Sequence, residues 1–213
     1  MAAIARVYQA RFETHPAVTL AITNGTLAAF SDVVAQTCQI LLTTPQSHPP
    51  RSLEFDPPPP RSLDFSRTAR FAVFGIGMGP LLGRWNLFLE NNFPLRCVGG
   101  KVSLKALGKR VLTDQALMAP TGLAIFIGSM GFMEGRNAAG VQKKFADMYK
   151  PAIIANWQVW PLAQLVNFRY MPLPYRVPFQ ATCGVFWTLY LSLLNAREDI
   201  KQDGPYRAKK LTL

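Results

Sequence analysis

The sequence predicts an all-α integral membrane protein: a bundle of four transmembrane helices, plus a proline-broken polar helix that either re-enters the membrane or spans it as a fifth helix. Charged residues make up 16% of the 213 residues, well below the roughly 25% that is usual in soluble domains. Hydrophobic residues make up 49%, and they gather into segments of ~20 residues, the length that a transmembrane helix needs. We therefore expect one membrane domain that covers residues 1–213.

The net charge indicates the kind of surface that the chain contacts. The 23 Lys and Arg residues exceed the 12 Asp and Glu residues, which gives a formal charge of +11. Most of the basic residues lie between the apolar segments, and basic loops beside apolar spans favour an anionic membrane surface. The sequence shows no basic helix and no aromatic platform for bases, so we expect no nucleic-acid contact.

The first segment, residues 1–16, is weakly amphipathic and basic. It carries Arg6 and Arg11 and has no acidic residue before Glu13. This pattern is typical of a mitochondrial targeting sequence. It is equally typical of a helix that lies on a membrane surface.

The first apolar segment, Ala17 to Leu42, is long enough to cross a hydrocarbon core of ~30 Å. One face of this predicted helix carries small and polar residues. They are Gly25, Ala28, Asp32, Ala35, Gln36 and Gln39. Small residues let a neighbouring helix approach closely, and an acid inside a span needs a partner or water. We expect Asp32 either in a buried pair with a base such as Arg84 or beside a water-filled path.

A proline-rich stretch follows at residues 43–66. It contains seven prolines, four of them consecutive, which predicts an extended loop outside the membrane. The loop is either a tolerated surface insertion or a ligand for a proline-binding domain. At the other end of the chain, the charged tail 196–213 is expected to be frayed.

The second apolar segment, about Ala69 to Leu89, has glycines at four-residue intervals. Gly75, Gly79 and Gly83 share one helix face, and such a stripe predicts close helix packing in membranes. No predicted strand precedes the stripe and no Gly-Lys-Ser/Thr follows it, which excludes a nucleotide-binding loop.

The third apolar segment runs from about Val111 to Met133, after a basic connector at Leu95 to Arg110. Asp114 and Gln115 open this segment. Because Asp114 follows Arg110 by four residues, the two side chains are predicted to form an intrahelical ion pair. An acid in a first turn also suits the helix dipole.

The stretch from Asn156 to Arg176 combines amides with prolines, after a polar connector at 134–150. Four of its residues fall within an arc of about 80° on a helix. They are Asn156, Trp160, Gln164 and Asn167. Pro161 removes a backbone donor from this polar-striped helix, and Pro172 prevents its simple continuation. The last apolar segment, Val177 to Leu194, follows.

The same stretch resembles the signature of the Mpv-seventeen and 22-kilodalton peroxisomal membrane protein family. Ten residues match the family motif in type and spacing. They are Asn156, Trp157, Trp160, Pro161, Gln164, Asn167, Phe168, Pro172, Tyr175 and Arg176. The chain departs from the family pattern at Ser31, where a glycine is frequent, at Asn86, where a tyrosine is frequent, and in the proline-rich loop.

The resemblance implies a multi-pass helical protein with four spans, in the mitochondrial inner membrane or, alternatively, in the peroxisomal membrane. It also implies a role in membrane permeability and solute passage, and it implies no catalytic residues. With four spans, the distribution of basic residues places both chain ends on the same, positive side of the membrane.

We expect a non-enzymatic channel or pore for small solutes, either as one chain or as a homo-oligomer. The expected pore-lining or polar core residues are Asp32, Gln36, Asp114, Gln115, Asn156, Gln164, Asn167 and Arg176. Alternatively, these side chains join the helices by hydrogen bonds, or the protein is a scaffold that recruits partners through residues 43–66 or its basic tail. Three cysteines and two histidines offer no metal-ligand cluster, so we expect no metal and no cofactor.

Overall fold

The computed structural model describes residues 2–42, 62–95 and 102–188. Regular structure in these ranges is helical, which confirms the all-α prediction. Most of the proline-rich loop and the whole tail 196–213 lie outside the described residues, so the expectations for them stay predictions. The last apolar segment is described as far as residue 188.

Three helices form the N-terminal half of the protein. They are α1 (Ala2–Thr14), α2 (Pro16–Leu42) and α3 (Phe65–Asn92). α3 begins where the side chain of Asp64 accepts a hydrogen bond from the backbone N–H of Arg67 at 2.9 Å, as N-cap residues do. The first two predicted apolar segments lie inside α2 and α3.

The third apolar segment belongs to one helical rod that contains a π-helical turn. In order, its parts are α4 (Leu104–Thr113), the π-helical turn (Asp114–Met118) and α5 (Ala119–Met133). The backbone N–H of Ala119 bonds to the carbonyl of Asp114, five residues earlier, and Pro120 has no N–H to donate. Turns of this kind often mark functional sites. The basic connector predicted up to Arg110 is too long, since α4 begins at Leu104.

α6, Ala138–Tyr170, contains Pro151 and Pro161 and is longer than the sequence indicated. The side chain of Asn137 caps its start by accepting from the backbone N–H of Gly140 at 2.9 Å. The polar connector predicted at 134–150 is therefore wrong beyond residue 137. The helix ends before residues 171–172, and α7 follows from 173, described to 188.

α2 and α3 pack antiparallel through the glycine stripe. A Cβ atom added at Gly75 would lie 2.8 Å from the carbonyl oxygen of Asn24, and one at Gly79 would collide with the carbonyl oxygen of Leu20. The side-chain amide of Asn24 donates to the carbonyl of Gly75 at 2.8 Å. Only glycine permits this approach, because any side chain would have to occupy the position of a neighbouring backbone.

The α4–α5 rod packs antiparallel to both α3 and α6. Against α3, Phe126 lies 5.1 Å from Phe74 between ring centroids. Against α6, Val141 packs on Gly131 at one end, and the hydroxyl of Tyr149 donates to the carbonyl of Pro120. The helices from α2 to α6 therefore alternate in direction through the bundle.

α7 begins beside α1 and runs along α2. The hydroxyl of Tyr8 donates to the carbonyl of Pro174 at 2.7 Å, and Ser31 contacts Thr188 at 3.4 Å. The start of α7 thus lies near the start of α2, while residue 188 lies beside the middle of α2. α7 is consequently parallel to α2 and antiparallel to α6.

Within the part of the chain that the structure describes, two helical stretches are long and apolar enough to cross a membrane, Pro16–Leu41 and Leu104–Met133. Only 17% of the most apolar window of each is buried within the protein, so most of their apolar side chains face outward. Exposed examples include Ile22, Phe30 and Leu112. An exposed apolar surface of this extent is unusual for a soluble monomer and suits contact with lipid.

Candidate functional site

The polar residues singled out in the sequence lie in separate clusters between the helices. The first, the Asp32 cluster, comprises Asp32, Gln36, Arg67 and Thr68 and joins α2 to the first turn of α3. The Asp32 side chain is 0% exposed and lies 2.8 Å from Nε of Arg67. It also accepts hydrogen bonds from Gln36 at 2.6 Å and from Thr68 at 2.7 Å. Its charge is thus balanced by a base and supported by two neutral donors.

The basic partner of Asp32 is Arg67 and not Arg84, the base expected from the sequence. Arg84 is exposed on α3, more than four helical turns from Arg67. Arg67 has this role because its side chain, 32% exposed, lies where α3 emerges from the loop. A base at a helix end can reach a buried acid and still keep part of its length in water.

The second cluster, the Asp114 cluster, lies where α3, α6 and the π-helical turn meet. It comprises Trp85, Asp114, Gln115, Gln164 and Asn167. The Asp114 carboxylate accepts from Nε1 of Trp85 at 2.8 Å, from Gln164 at 2.8 Å and from Gln115 at 3.0 Å. Asn167 extends the chain of hydrogen bonds by donating to Oε1 of Gln164 at 3.0 Å. Asp114 is 3% exposed, and its partners among the described residues are uncharged.

The predicted ion pair between Arg110 and Asp114 is wrong. Arg110 instead pairs with Glu90 of α3 at 3.0 Å, and its Nε donates to the carbonyl of Phe93 at 2.7 Å. Side chains on a helix lean toward its N-terminus, so the long Arg110 side chain extends away from Asp114. Asp114 is left to neutral donors.

The third cluster, the Glu90 cluster, consists of Glu90, Arg110 and Arg176. Arg176 lies 2.6 Å from the same Glu90 oxygen that Arg110 contacts. Burial alone would raise the pKa of Glu90, but the hydrogen bonds and positive charges of Arg176 and Arg110 outweigh it and lower the pKa below the usual value. Glu90 follows the apolar part of α3, so this cluster lies at one end of the bundle.

The structure distributes seven of the eight predicted polar core residues over the three clusters and leaves Asn156 outside them. Asp114, Gln115, Gln164 and Asn167 share one cluster, Asp32 and Gln36 share another, and Arg176 belongs to the third. Asn156 lies about two turns before Gln164 in α6. Its Oδ1 is buried without a hydrogen-bond partner among the described residues.

The remaining signature residues support this arrangement from α6. The indole N–H of Trp157 donates to the backbone carbonyl of Gln115 at 3.1 Å. Phe168 is buried against Leu89 and Leu107. Pro161 and Trp160 lie within α6, and Pro172 lies in the non-helical step before α7.

The partners that complete each cluster were not predictable from the spacing of residues within one segment. Trp85, Glu90 and Arg67 were not predicted as polar core residues, although Glu90 stands out as an acid directly after an apolar segment. No group of three metal-ligating side chains occurs in the described ranges. Cys38 and Cys183 are free thiols.

The fold and these clusters define a helical bundle with a lipid-compatible surface and polar side chains bonded between its helices. The model of the Mpv17 / PMP22 family matches residues 131–192. Protein sym1 of Schizosaccharomyces pombe is 37% identical over 193 residues, which cover 89% of each chain. Protein sym-1 of Neurospora crassa is 35% identical over 89% of this chain and 98% of its own. Protein SYM1 of Saccharomyces cerevisiae is 30% identical over 90% and 89% respectively.

The chain therefore belongs to the Mpv17 / PMP22 family of membrane proteins. The identified family is the one that the Asn156 to Arg176 signature predicts. No solved structure matches the chain.

Proposed function

We propose that the protein is a channel for small solutes in an organelle membrane and that Asp114 lies on its polar path. The observation that carries this proposal is the buried Asp114 carboxylate, whose three donors in the described chain are Trp85, Gln115 and Gln164, all uncharged. An acid inside an apolar span that is not neutralised by a base is typical of ion and solute pathways. Such a charge raises the local concentration of cations.

Unused hydrogen-bond acceptors near Asp114 support a hydrated path. Gln115 Oε1, Asn167 Oδ1 and Asn156 Oδ1 are buried and have no partner among the described residues. In an apolar environment each such oxygen costs free energy unless water or a polar solute contacts it. Asn167 and Asn156 lie three helical turns apart on α6. The unused acceptor oxygens are therefore distributed along the helix and not confined to one position.

The proposal includes five membrane crossings. α2, α3, the α4–α5 rod, α6 and α7 alternate in direction, and α6 has 33 residues, about 50 Å at 1.5 Å per residue. That length exceeds a hydrocarbon core of ~30 Å, which favours a full fifth span over a re-entrant piece. An odd number of crossings differs from the four-span expectation, in which both chain ends share one side.

The proposed location is the mitochondrial inner membrane, with the peroxisomal membrane as the alternative. Arg6 and Arg11 make α1 basic, and Tyr8 fixes α1 against the start of α7. In the mitochondrial inner membrane, α1 would serve both as a targeting segment and as a part of the folded bundle.

Purified protein in planar lipid bilayers tests the channel. We expect discrete conductance steps and, under a KCl gradient, a reversal potential that indicates cation preference. Asp114→Asn keeps the side-chain size and removes the charge, so the reversal potential should move toward zero while conductance persists. Asp147→Asn is the matched control, because Asp147 is exposed on α6 and its loss should leave selectivity unchanged.

Two results would contradict the proposal. One is folded wild-type protein that never conducts in bilayers. The other is a conducting Asp114→Asn protein whose reversal potential equals that of the wild type, because Asp114 would then only join helices.

A further inference from the structure

The Glu90 cluster has an unusual arrangement of charge, with two buried bases around one partly exposed acid. The side chains of Arg110 and Arg176 are 0% and 5% exposed, whereas that of Glu90 is 41% exposed. Both guanidinium groups contact the same oxygen, Oε2 of Glu90, at 3.0 Å and 2.6 Å. One carboxylate therefore serves two guanidinium groups, and a net positive charge remains in the cluster.

The hydrogen-bonding capacity of Arg110 is not filled by these contacts. Its Nε donates to the carbonyl of Phe93 and its Nη1 to Glu90, while its buried Nη2 has no partner among the described residues. Nη1 and Nη2 form the two-pronged end of a planar group that suits carboxylates and phosphates. Nη1 donates to Glu90, and the adjacent Nη2 remains available to a second acceptor.

The cluster lies at one end of the bundle, where solvent reaches it through Glu90. Glu90 is two residues before the end of α3, Arg110 is near the start of the α4–α5 rod, and Arg176 is in the first turns of α7. Each lies next to an apolar segment, at the level that lipid headgroups occupy if these helices cross a membrane. A side chain that is 41% exposed can turn toward water, which would leave both guanidinium groups without their carboxylate.

We propose that Arg110 and Arg176 form a binding site for a phosphomonoester group and that Glu90 occupies this site when the group is absent. A phosphomonoester carries about two negative charges near pH 7 and three acceptor oxygens. It can therefore match two guanidinium groups and the free Nη2 of Arg110, which one carboxylate oxygen cannot do. The group belongs either to a lipid headgroup, as in phosphatidic acid, or to free phosphate. The site is independent of whether the protein conducts solutes.

Thermal unfolding of the purified protein tests the site and its source. In the first arm, inorganic phosphate is titrated in detergent at constant ionic strength, with KCl as the balancing salt. In the second arm, the protein is reconstituted in phosphatidylcholine vesicles with and without phosphatidic acid, and vesicles with phosphatidylglycerol supply a phosphodiester of similar charge sign. A rise of the midpoint with phosphate indicates a free ligand, and a rise with phosphatidic acid alone indicates a lipid.

Glu90→Gln separates a binding site from a structural ion pair. The variant should have a lower midpoint without phosphate, because both guanidinium groups lose their carboxylate. It should also bind phosphate more tightly than the wild type, on the order of tenfold, because the competing charged acceptor is gone. Arg176→Gln should lose the response, while Lys109→Gln, which removes an exposed base next to Arg110, should keep it.

Three results would overturn the proposal. The first is an unchanged midpoint of both wild type and Glu90→Gln in phosphate and in phosphatidic acid. The second is weaker phosphate binding by Glu90→Gln than by the wild type. The third is an equal loss of response in Lys109→Gln and Arg176→Gln, since the effect would then come from general charge. If Arg176→Gln does not fold, the direction of the Glu90→Gln effect still decides.

Discussion

The Asp32 and Asp114 clusters place the same residue type in two different electrostatic environments. Both carboxylates are buried and both accept several hydrogen bonds between helices. Asp32 lies 2.8 Å from Arg67, so its cluster is neutral, whereas the donors to Asp114 in the described chain are uncharged. Burial of an acid alone therefore does not identify a pathway residue. The two acids differ in the charge of their partners, and the proposed solute path passes the acid that has no base beside it among the described residues.

The largest expected effect comes from removing the base of the Asp32 cluster. Arg67→Met leaves Asp32 buried and ionised without its counter-charge, and breaking a buried pair in this way costs about 3 kcal/mol of unfolding free energy, the lower end of the usual range because Arg67 is partly exposed. Chemical denaturation in detergent measures the loss. Asp32→Asn combined with Arg67→Met should recover a large part of it, since neither charge then remains.

An unchanged unfolding free energy of Arg67→Met would remove the energetic distinction between Asp32 and Asp114. If Arg67→Met were as stable as the wild type, Asp32 would be held by neutral donors alone, as Asp114 is. The pair would then contribute nothing that Gln36 and Thr68 do not already supply.

The second prediction concerns the helix contact that carries the Asp32 cluster. Gly79→Ala places a methyl group against the carbonyl of Leu20, whereas a Cβ at Gly77 meets no atom within 4 Å. We expect Gly79→Ala to lower the unfolding free energy by about 1–3 kcal/mol through overpacking. Gly77→Ala should be neutral or stabilising by up to about 1 kcal/mol, because alanine favours a helix over glycine.

Thermal midpoints of the two alanine variants in the same detergent test this contrast. Equal midpoints would show that α2 and α3 do not depend on the close approach at Gly79.

The sequence was sufficient for the features that depend on local periodicity. Apolar length located α2, α3 and the α4–α5 rod, and the amide stripe placed Gln164 and Asn167 on one face of α6. It was misleading at 138–150, where charged residues suggested a connector. There, Val141 and Tyr149 face α5 one and three turns into the helix. Lys144 pairs with Glu134 just after α5, and the other charged residues of this stretch are exposed.

The pairing of charges could not be predicted, because it depends on how helices are rotated against one another. Arg110 and Asp114 are four residues apart and yet face different partners on α3, Glu90 and Trp85. The π-helical turn that begins at Asp114 adds a residue to one helical turn, which rotates the faces of α5 relative to those of α4. Tertiary contacts of this kind are not encoded in the spacing of one segment.

The pH dependence of stability extends the contrast to a third acid, Glu90, for which we expect the smallest effect. Its pKa in the folded protein is below the usual 4.5, so folded protein holds this proton less readily than unfolded protein does. The resulting stability is present above pH 4.5 and is lost as the pH falls through the lowered pKa. Because Glu90 is substantially exposed, we expect a loss of at most about 1 kcal/mol.

Difference measurements isolate this contribution from other acids. The pKa of Glu134 is also lowered: burial would raise it, but hydrogen bonds from Lys144 and Arg136 outweigh burial. Wild-type protein therefore loses stability in acid at more than one site. Subtracting the pH profile of Glu90→Gln from that of the wild type should leave a single step below pH 4.5, and Glu134→Gln should retain that step. Parallel pH profiles of the wild type and Glu90→Gln would mean that Arg110 and Arg176 do not stabilise the Glu90 charge. Glu90 would then be an acid without effective basic partners, as Asp114 is, and would differ from Asp32.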